Sequence, residues 1–302
     1  MTLVERVTPA MGTAVTIRIL TDDVAAAEQG IDRALAWFAH VEARCSRFDA
    51  ASDLARVNAA GGAAVVVDPL LYRLLEFALE VAAASDGAFD PTVGGRLHAR
   101  GDDVEWRSGM RLPAAGPFDP DATFRDVALD PVAGSVQLLR PLALDLGAVA
   151  KGLAVDVAAR ELAGFRDYAI DAGGDLYCAG HPEPGLAWTI GLRHPRDRDR
   201  LLTRVAVEDA AVCTSGDYER RLADGASHLV DPRARRPADG IASATVVAPQ
   251  AMLADALSTA AAVMPVAEAI AFLEAQGVHG YLVTTALDVH TTAGWRDLGP
   301  LA

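Results

Sequence analysis

Leu144-Asp145-Leu146-Gly147-Ala148-Val149-Ala150-Lys151-Gly152-Leu153-Ala154-Val155-Asp156 decides how the rest of the chain is read. The apolar run from Pro141 to Leu146 predicts a short strand. Gly147 breaks it, and Lys151-Gly152 opens an Ala- and Val-rich helix reaching about Leu162. A strand that passes through glycines into a helix leaves backbone N–H groups and a positive dipole end facing outwards, a seat for a phosphate. The G-x-x-x-x-G-K-[ST] spacing of a P-loop is absent. Lys151 is the sole lysine among 27 Lys and Arg residues in the 302-residue chain. It reads either as a compact ammonium placed where a planar guanidinium would not serve, or as a solvated lysine at a helix start.

Outward from this stretch, strands outnumber helices. Ala14 to Leu20 alternates polar and apolar, a strand signal. Asp23 to Arg44 is a helix with Ile31, Leu35, Phe38 and Val41 on one face. Cys45 to Asn58 is a polar loop with a short helical turn, in which Arg47 and Phe48 could pack an aromatic ligand or Phe48 could plug the core. Ala63 to Val67 is a short strand. Asp68-Pro69 starts a helix that stops near Ser85-Asp86-Gly87. Ala88 to Gly95 is turn-rich, residues 100 to 122 form an irregular insertion, and Arg125 to Leu129 with Ser135 to Leu139 form a hairpin. Tyr168 to Ile170, Leu176 to Ala179, Trp188 to Leu192, Thr203 to Glu208 and Ala210 to Cys213 extend a sheet, with Arg193 to Arg200 a solvated turn. Ser243 to Val247, two helices over Gln250 to Met264 and Pro265 to Gln276, then Tyr281 to Thr284 and Asp288 to Thr291 complete it. Hairpin-joined strands favour an α+β fold of mixed, largely antiparallel sheets flanked by helices over a doubly wound one.

Net charge is −14, from 41 acidic against 27 basic residues, which argues against nucleic acid or an anionic membrane as partner of the whole surface. An anionic ligand would need a local positive site. Cys45, Cys178 and Cys213 have neither C-x-x-C spacing nor an even count, so they read as buried reduced thiols. Met1 to Thr8 is charged, without a signal-peptide core, and no membrane span follows. The expectation is a cytoplasmic location.

The helix over Gln250 to Met264 is apolar nearly all round, hence buried. Asp255 and Thr259 nevertheless lie on one face of it, at i and i+4. A buried carboxylate needs a partner or a metal. One carboxylate and one hydroxyl, completed by carbonyls, water and a substrate phosphate, suit magnesium. Equally, Asp255 could cap a neighbouring backbone while Thr259 bonds back to the preceding turn. His228 stands alone before Asp231-Pro232, and no G-x-S-x-G elbow supports a nucleophilic triad.

Five segments, Met11-Gly12-Thr13, Ser85 to Gly94, Leu144 to Asp156 with Asp171 to Asp175, Thr214 to Pro237, and Ala251 to Thr259, together resemble the ApbE family of FAD:protein FMN transferases. The resemblance runs from about residue 9 to residue 292, as one domain or two intertwined subdomains. It implies two lobes with the FAD site between them. It also implies an enzyme that binds FAD with Mg2+, cuts the pyrophosphate, attaches FMN to a Ser or Thr hydroxyl of an acceptor flavoprotein and releases AMP. The acceptor carries Asp-x-x-[Ser/Thr]-Gly-[Ala/Ser]-Thr, a motif this chain lacks. By the same resemblance Met11, Phe48 (often Tyr in the family), Ala88, Phe89, Asp90, Asp145, Lys151, Leu229 and Val230 bind FAD. Ala148 through its carbonyl, Asp255 and Thr259 hold the metal, with Ser258 at a position that is sometimes acidic. His228 is the candidate for the base on the acceptor hydroxyl or for the group that orients it, and Lys151, magnesium and the helix start stabilise the charged phosphates. The family's Thr-Gly-x-Pro is replaced by Arg233-Ala234-Arg235-Arg236-Pro237, which bears on acceptor binding. Alternatives are a Mg2+-dependent FAD pyrophosphatase, in which water replaces the hydroxyl, and a non-enzymatic FAD-binding protein.

Overall fold

Alternation sets the central strand. In β2 (Thr13–Thr21) Val15, Ile17 and Ile19 are fully buried while Arg18 faces out. Each such side chain contributes roughly 1.5–3 kcal/mol of burial. β2 pairs on one side with β1 (Thr2–Ala10) and on the other with β6 (Asp167–Ala172). The computed structural model describes all residues except 106–107, 113–117, 184, 219–226, 228, 234–235, 238–239 and 299–302.

Between β2 and β6 the chain forms α1 (Val24–Cys45), α2 (Asp53–Ala59), β3 (Val65–Val66), α3 (Pro69–Ala84), α4 (Gly94–Ala99), β4 (Val127–Asp130), β5 (Ser135–Leu138) and α5 (Ala150–Glu161). After β6 come β7 (Asp175–Ala179), β8 (Trp188–His194), β9 (Asp197–Val207), β10 (Ala210–Gly216), β11 (Val230–Asp231), β12 (Arg236–Pro237), β13 (Ile241–Ala248), α6 (Ala251–Val263), α7 (Val266–Ala275), β14 (His279–Thr284) and β15 (Val289–Thr291). The main sheet has eight strands in the order β1-β2-β6-β7-β10-β13-β14-β15, every neighbouring pair antiparallel. β3, β5 and β4 form a smaller sheet. This is an α+β fold, and its named strand pairs are all antiparallel.

The two faces of the main sheet are covered differently. On one, α5 packs against α1 and α6, and α6 lies on β10 and β13. On the other, the β8–β9 hairpin supplies Leu192, Val205 and Val207, which pack against Ala169, Cys178, Val212 and Val247. Helix starts follow the expected chemistry. Asp68 accepts from the Leu70 N–H at 2.8 Å with Pro69 in the first turn, and Asp23 accepts from the Ala26 N–H at 2.9 Å.

Three sequence expectations need correction. Met1 to Thr8, expected only as a charged N-terminus, falls almost wholly within β1 (Thr2–Ala10); the inward positions of that strand are Val4, Arg6, Thr8 and Ala10, and Arg6 pairs with Glu28 and Asp32 of α1. Pro141 to Leu146 is not a strand of any sheet. It makes a single bridging pair between Ala143 and Val93. Its backbone bonds go instead to the Asn58 side chain, which accepts from the Leu144 N–H at 2.7 Å and donates to the Leu144 carbonyl at 3.0 Å. β8 and β9 do not extend the main sheet but form their own hairpin, and Arg193 to Arg200 carries its tip rather than a merely solvated turn.

Candidate active site

Two helix N-termini meet beside a cavity of about 460 Å³ that Lys151 and Asp255 help to line. Gly152, in the first turn of α5, lies directly against the start of α6. A Cβ on it would sit 2.5 Å from both the Ala251 carbonyl oxygen and the Met252 Cα. Only glycine permits that approach. One turn further along α5, Asp156 completes the junction from across the gap. Its carboxylate accepts from the Ala251 N–H at 2.7 Å and the Met252 N–H at 3.0 Å, supplying the cap that Gln250 does not provide. The Lys151-Gly152 and Asp156 positions of the opening stretch are therefore the parts that fix α6.

With α6 so placed, its Asp255 reaches back over α5. Oδ2 accepts from the Gly152 N–H at 3.3 Å and lies 3.7 Å from Lys151 Nζ. The Lys151 ammonium is paired more closely with Asp175 at the start of β7. Both carboxylates are buried. Burial, reinforced by the charge of Asp175 and opposed by Lys151, pushes Asp255 up to about 7. Burial alone would lower the lysine's value, but Asp175 and Asp255 outweigh it and hold the ammonium charged. Below them Cys213 is buried, its thiol raised well above the ordinary value by burial and by the two carboxylates.

The next turn of α6 continues the polar wall. Ser215, near the end of β10, shares hydrogen bonds with Ser258 Oγ at 2.8 Å and Thr259 Oγ1 at 3.0 Å. Ser258 also donates to the Asp255 carbonyl at 2.9 Å. Asp255, Thr259, Ala148 and Lys151 all line the cavity.

The cavity is also lined by apolar and aromatic side chains. Met11 and Gly12 form the two-residue turn between β1 and β2 with φ of 49° and 78°. A left-handed methionine costs free energy that a glycine or asparagine would not, and here it carries the side chain to the cavity. Phe48 lines the cavity with the Arg47 guanidinium 4.4 Å from its ring centroid. Arg47 is only 7% exposed; its Nε lies 2.5 Å from Asp145 Oδ2 and its outer nitrogen 2.6 Å from Asp102 Oδ2. The Asp145 carboxylate also accepts from the Gly147 N–H at 2.8 Å, turning the loop into α5. Arg47 thus ties the segment after α4 to the loop before α5. Ala88, Phe89 and Asp90 line the cavity as well, although the Asp90 carboxylate is held by the Thr92 N–H at 2.8 Å and the Phe124 N–H at 3.1 Å.

This arrangement can be compared with known proteins. Residues 11–282 match the model of the ApbE family. The chain belongs to the ApbE family. An FAD:protein FMN transferase of Treponema pallidum is 36% identical over 277 residues, covering 82% of this chain and 74% of its own length. One from Rhodobacter capsulatus is 34% identical over 226 residues, 70% of this chain; the aligned part spans only 42% of that relative. Among solved structures, the ApbE protein of Thermotoga maritima superposes with a TM-score of 0.86 at 28% identity, covering 98% of this chain and 99% of its own. The apo form of the Pseudomonas stutzeri flavinyl transferase ApbE gives 0.82 at 26% identity, covering 98% and 97%.

Of the residues that the ApbE resemblance singles out, the structure gathers Met11, Phe48, Ala88, Phe89, Asp90, Asp145, Ala148, Lys151, Leu229, Val230, Asp255 and Thr259 around one cavity. Ser258 stands behind that wall, fully buried, with its hydroxyl engaged by Ser215 and the Asp255 carbonyl. His228 lies outside the described residues. Arg47, a candidate with Phe48 to pack a ligand, lines the cavity and is at the same time a buried cross-link between Asp102 and Asp145. Sequence reasoning passed over Asp175 and Ser215 as site residues, although both sit in segments it had marked.

The donor set decides which cation fits. Among the described residues no group of three or more His, Cys, Asp or Glu side chains could hold a metal. What the wall offers is oxygen: the Asp255 carboxylate, the Thr259 hydroxyl and the Ala148 segment. That set suits a hard cation that retains waters and takes further oxygens from a phosphate ligand. Among the described residues no helix is long and apolar enough to cross a membrane.

Proposed function

We propose that this chain transfers FMN from FAD to a Ser or Thr hydroxyl of an acceptor protein, with AMP as the leaving group and Mg2+ as the bound metal. The observation that carries the reading is that one cavity is lined both by Lys151, Asp255 and Thr259 and by Met11 and Phe48. A charged, oxygen-rich wall suits a pyrophosphate, and an aromatic and thioether wall suits a flat ring system.

In this reading the acceptor oxygen forms a bond to the flavin-side phosphorus. The bond from that phosphorus to the bridging oxygen breaks, and AMP departs with that oxygen. The hydroxyl proton passes to a base, for which His228 is the candidate. Asp255, Thr259 and the Ala148 carbonyl are the groups to hold Mg2+, which when bound neutralises phosphate charge as a Lewis acid. Lys151 holds a positive charge at a fixed place beside the departing phosphate, stabilisation that is strong in a desolvated site. Phe48 and Met11 hold the rings, and Arg47 keeps Asp145 in place at the cavity edge.

The test is incubation with FAD, Mg2+ and an acceptor domain bearing Asp-x-x-[Ser/Thr]-Gly-[Ala/Ser]-Thr, followed by denaturing electrophoresis. Flavin fluorescence that stays with the denatured acceptor supports the reading. Release of free FMN and AMP with an unlabelled acceptor selects hydrolysis by water instead.

A further inference from the structure

Lys151 sits between two carboxylates that belong to different elements. Its side chain is 22% exposed, whereas those of Asp175 and Asp255 are 4% and 5% exposed. Asp175 opens a strand whose backbone is paired on both sides, with β6 and with β10, so its carboxylate is anchored in the sheet. Asp255 rides on α6 and faces the cavity. The ammonium is seated on Asp175 and stands 3.7 Å from Asp255, at the end of a flexible four-carbon stem. With both carboxylates ionised, the two carboxylates and one ammonium carry one net negative charge. A divalent cation taken up by Asp255 would place a second positive charge beside the ammonium in a poorly solvated pocket, where like charges repel strongly.

We propose that Lys151 is a displaceable counter-ion: a divalent cation taken up by Asp255 drives the ammonium off that carboxylate, and Asp175 is the positioning residue that keeps it in the cavity beside the anionic substrate. The inference rests on the reading that Asp255 holds the cation. It explains why the one lysine of the chain stands here while the other 26 cationic side chains are Arg. A rigid planar fork bound to two carboxylates releases one of them less readily than a pivoting point charge.

Because the chain has a single lysine, protein made with 15N-lysine gives one side-chain ammonium signal, and its proton exchange reports whether a carboxylate holds it. Binding of Mg2+ is followed by calorimetry on the full chain without FAD, so the outcome is independent of whether the wild type transfers FMN. In the wild type the ammonium is expected to remain protected with and without saturating Mg2+. In Asp175→Asn it is expected to be protected without Mg2+ and to exchange freely at saturation. Lys151→Gln is expected to bind Mg2+ at least tenfold more tightly than the wild type, and Asp175→Asn at least tenfold more weakly. Protection that persists in Asp175→Asn at saturating Mg2+ overturns the proposal, as does a Lys151→Gln affinity no higher than the wild type's. The wild-type exchange measurement needs no substitution, and loss of protection there on adding Mg2+ would overturn the role of Asp175.

Discussion

Replacing Gly152 with alanine tests the α5–α6 junction through the sign of its effect. In an ordinary helix interior Gly→Ala stabilises by about 1 kcal/mol, because alanine loses less backbone entropy. Here the new Cβ would lie 2.5 Å from the Ala251 carbonyl oxygen and 2.5 Å from the Met252 Cα, both backbone atoms that cannot rotate away. Ordinary van der Waals contact begins near 3.4 Å. The two helices must therefore separate by about 1 Å, and overpacking of this kind costs about 1–3 kcal/mol. The net expectation is a loss of up to about 2 kcal/mol, read as a lower urea midpoint with an unchanged slope. The shift also moves Asp255 relative to the loop before α5. Mg2+ demands near-ideal octahedral geometry, so its affinity is expected to fall at least tenfold and turnover of FAD about a hundredfold. Urea unfolding and Mg2+ calorimetry check both arms. A Gly152→Ala protein more stable than the wild type, with undiminished Mg2+ affinity, would refute the claim that this contact sets the site.

Three further outcomes follow from the same geometry. Asp255 is raised to about 7, so its protonated form is the one the fold favours. Its contribution to stability without metal is fully present below about 4 and is lost as pH rises from there through about 7. Mg2+ affinity should accordingly fall about tenfold per unit below pH 7 and level off above it, and calorimetry between pH 5.5 and 8.5 showing no such dependence would contradict the assignment. Ser215→Ala removes the hydroxyl shared by Ser258 and Thr259, and is expected to cost about 1–2 kcal/mol in urea unfolding and to weaken Mg2+ binding several-fold. Arg47→Ala leaves Asp145 and Asp102 without their buried partner, and is expected to raise the apparent KM for FAD at least tenfold in a turnover assay while kcat changes less.

Much of the scaffold was legible because its signals are local. The alternation in Val15, Ile17 and Ile19, the Asp68-Pro69 start of α3 and the i, i+4 pair Asp255 and Thr259 are each contained within a few residues. The hidden parts are those whose partners are distant in sequence. Arg6 occupies an inward position of β1 only because Glu28 and Asp32 on α1 neutralise it, so no apolar alternation marks that strand. Pro141 to Leu146 has the composition of a strand, but its backbone partners are the Asn58 side chain and, through the Asp145 N–H, the Pro91 carbonyl at 2.8 Å. Arg196 belongs to a segment read as a solvated turn, yet it forms a two-pronged pair with Asp217 at 2.6 and 2.7 Å, just past the strand that carries Ser215. Asp156 shows only as the polar end of a helical motif; its role as the cap of α6 depends on a contact across 95 residues. The ammonium's preference for Asp175 over Asp255 is likewise a fact of three dimensions.

The most direct test of the central claim is intact-mass spectrometry of an acceptor domain after incubation with this chain, FAD and Mg2+, with AMP quantified in the same sample. The expected result is an acceptor heavier by one FMN less one water, one AMP for each modified acceptor, and neither product when EDTA is present or Asp255 is replaced by Asn. An acceptor of unchanged mass beside wild-type protein that binds FAD and Mg2+ would contradict it.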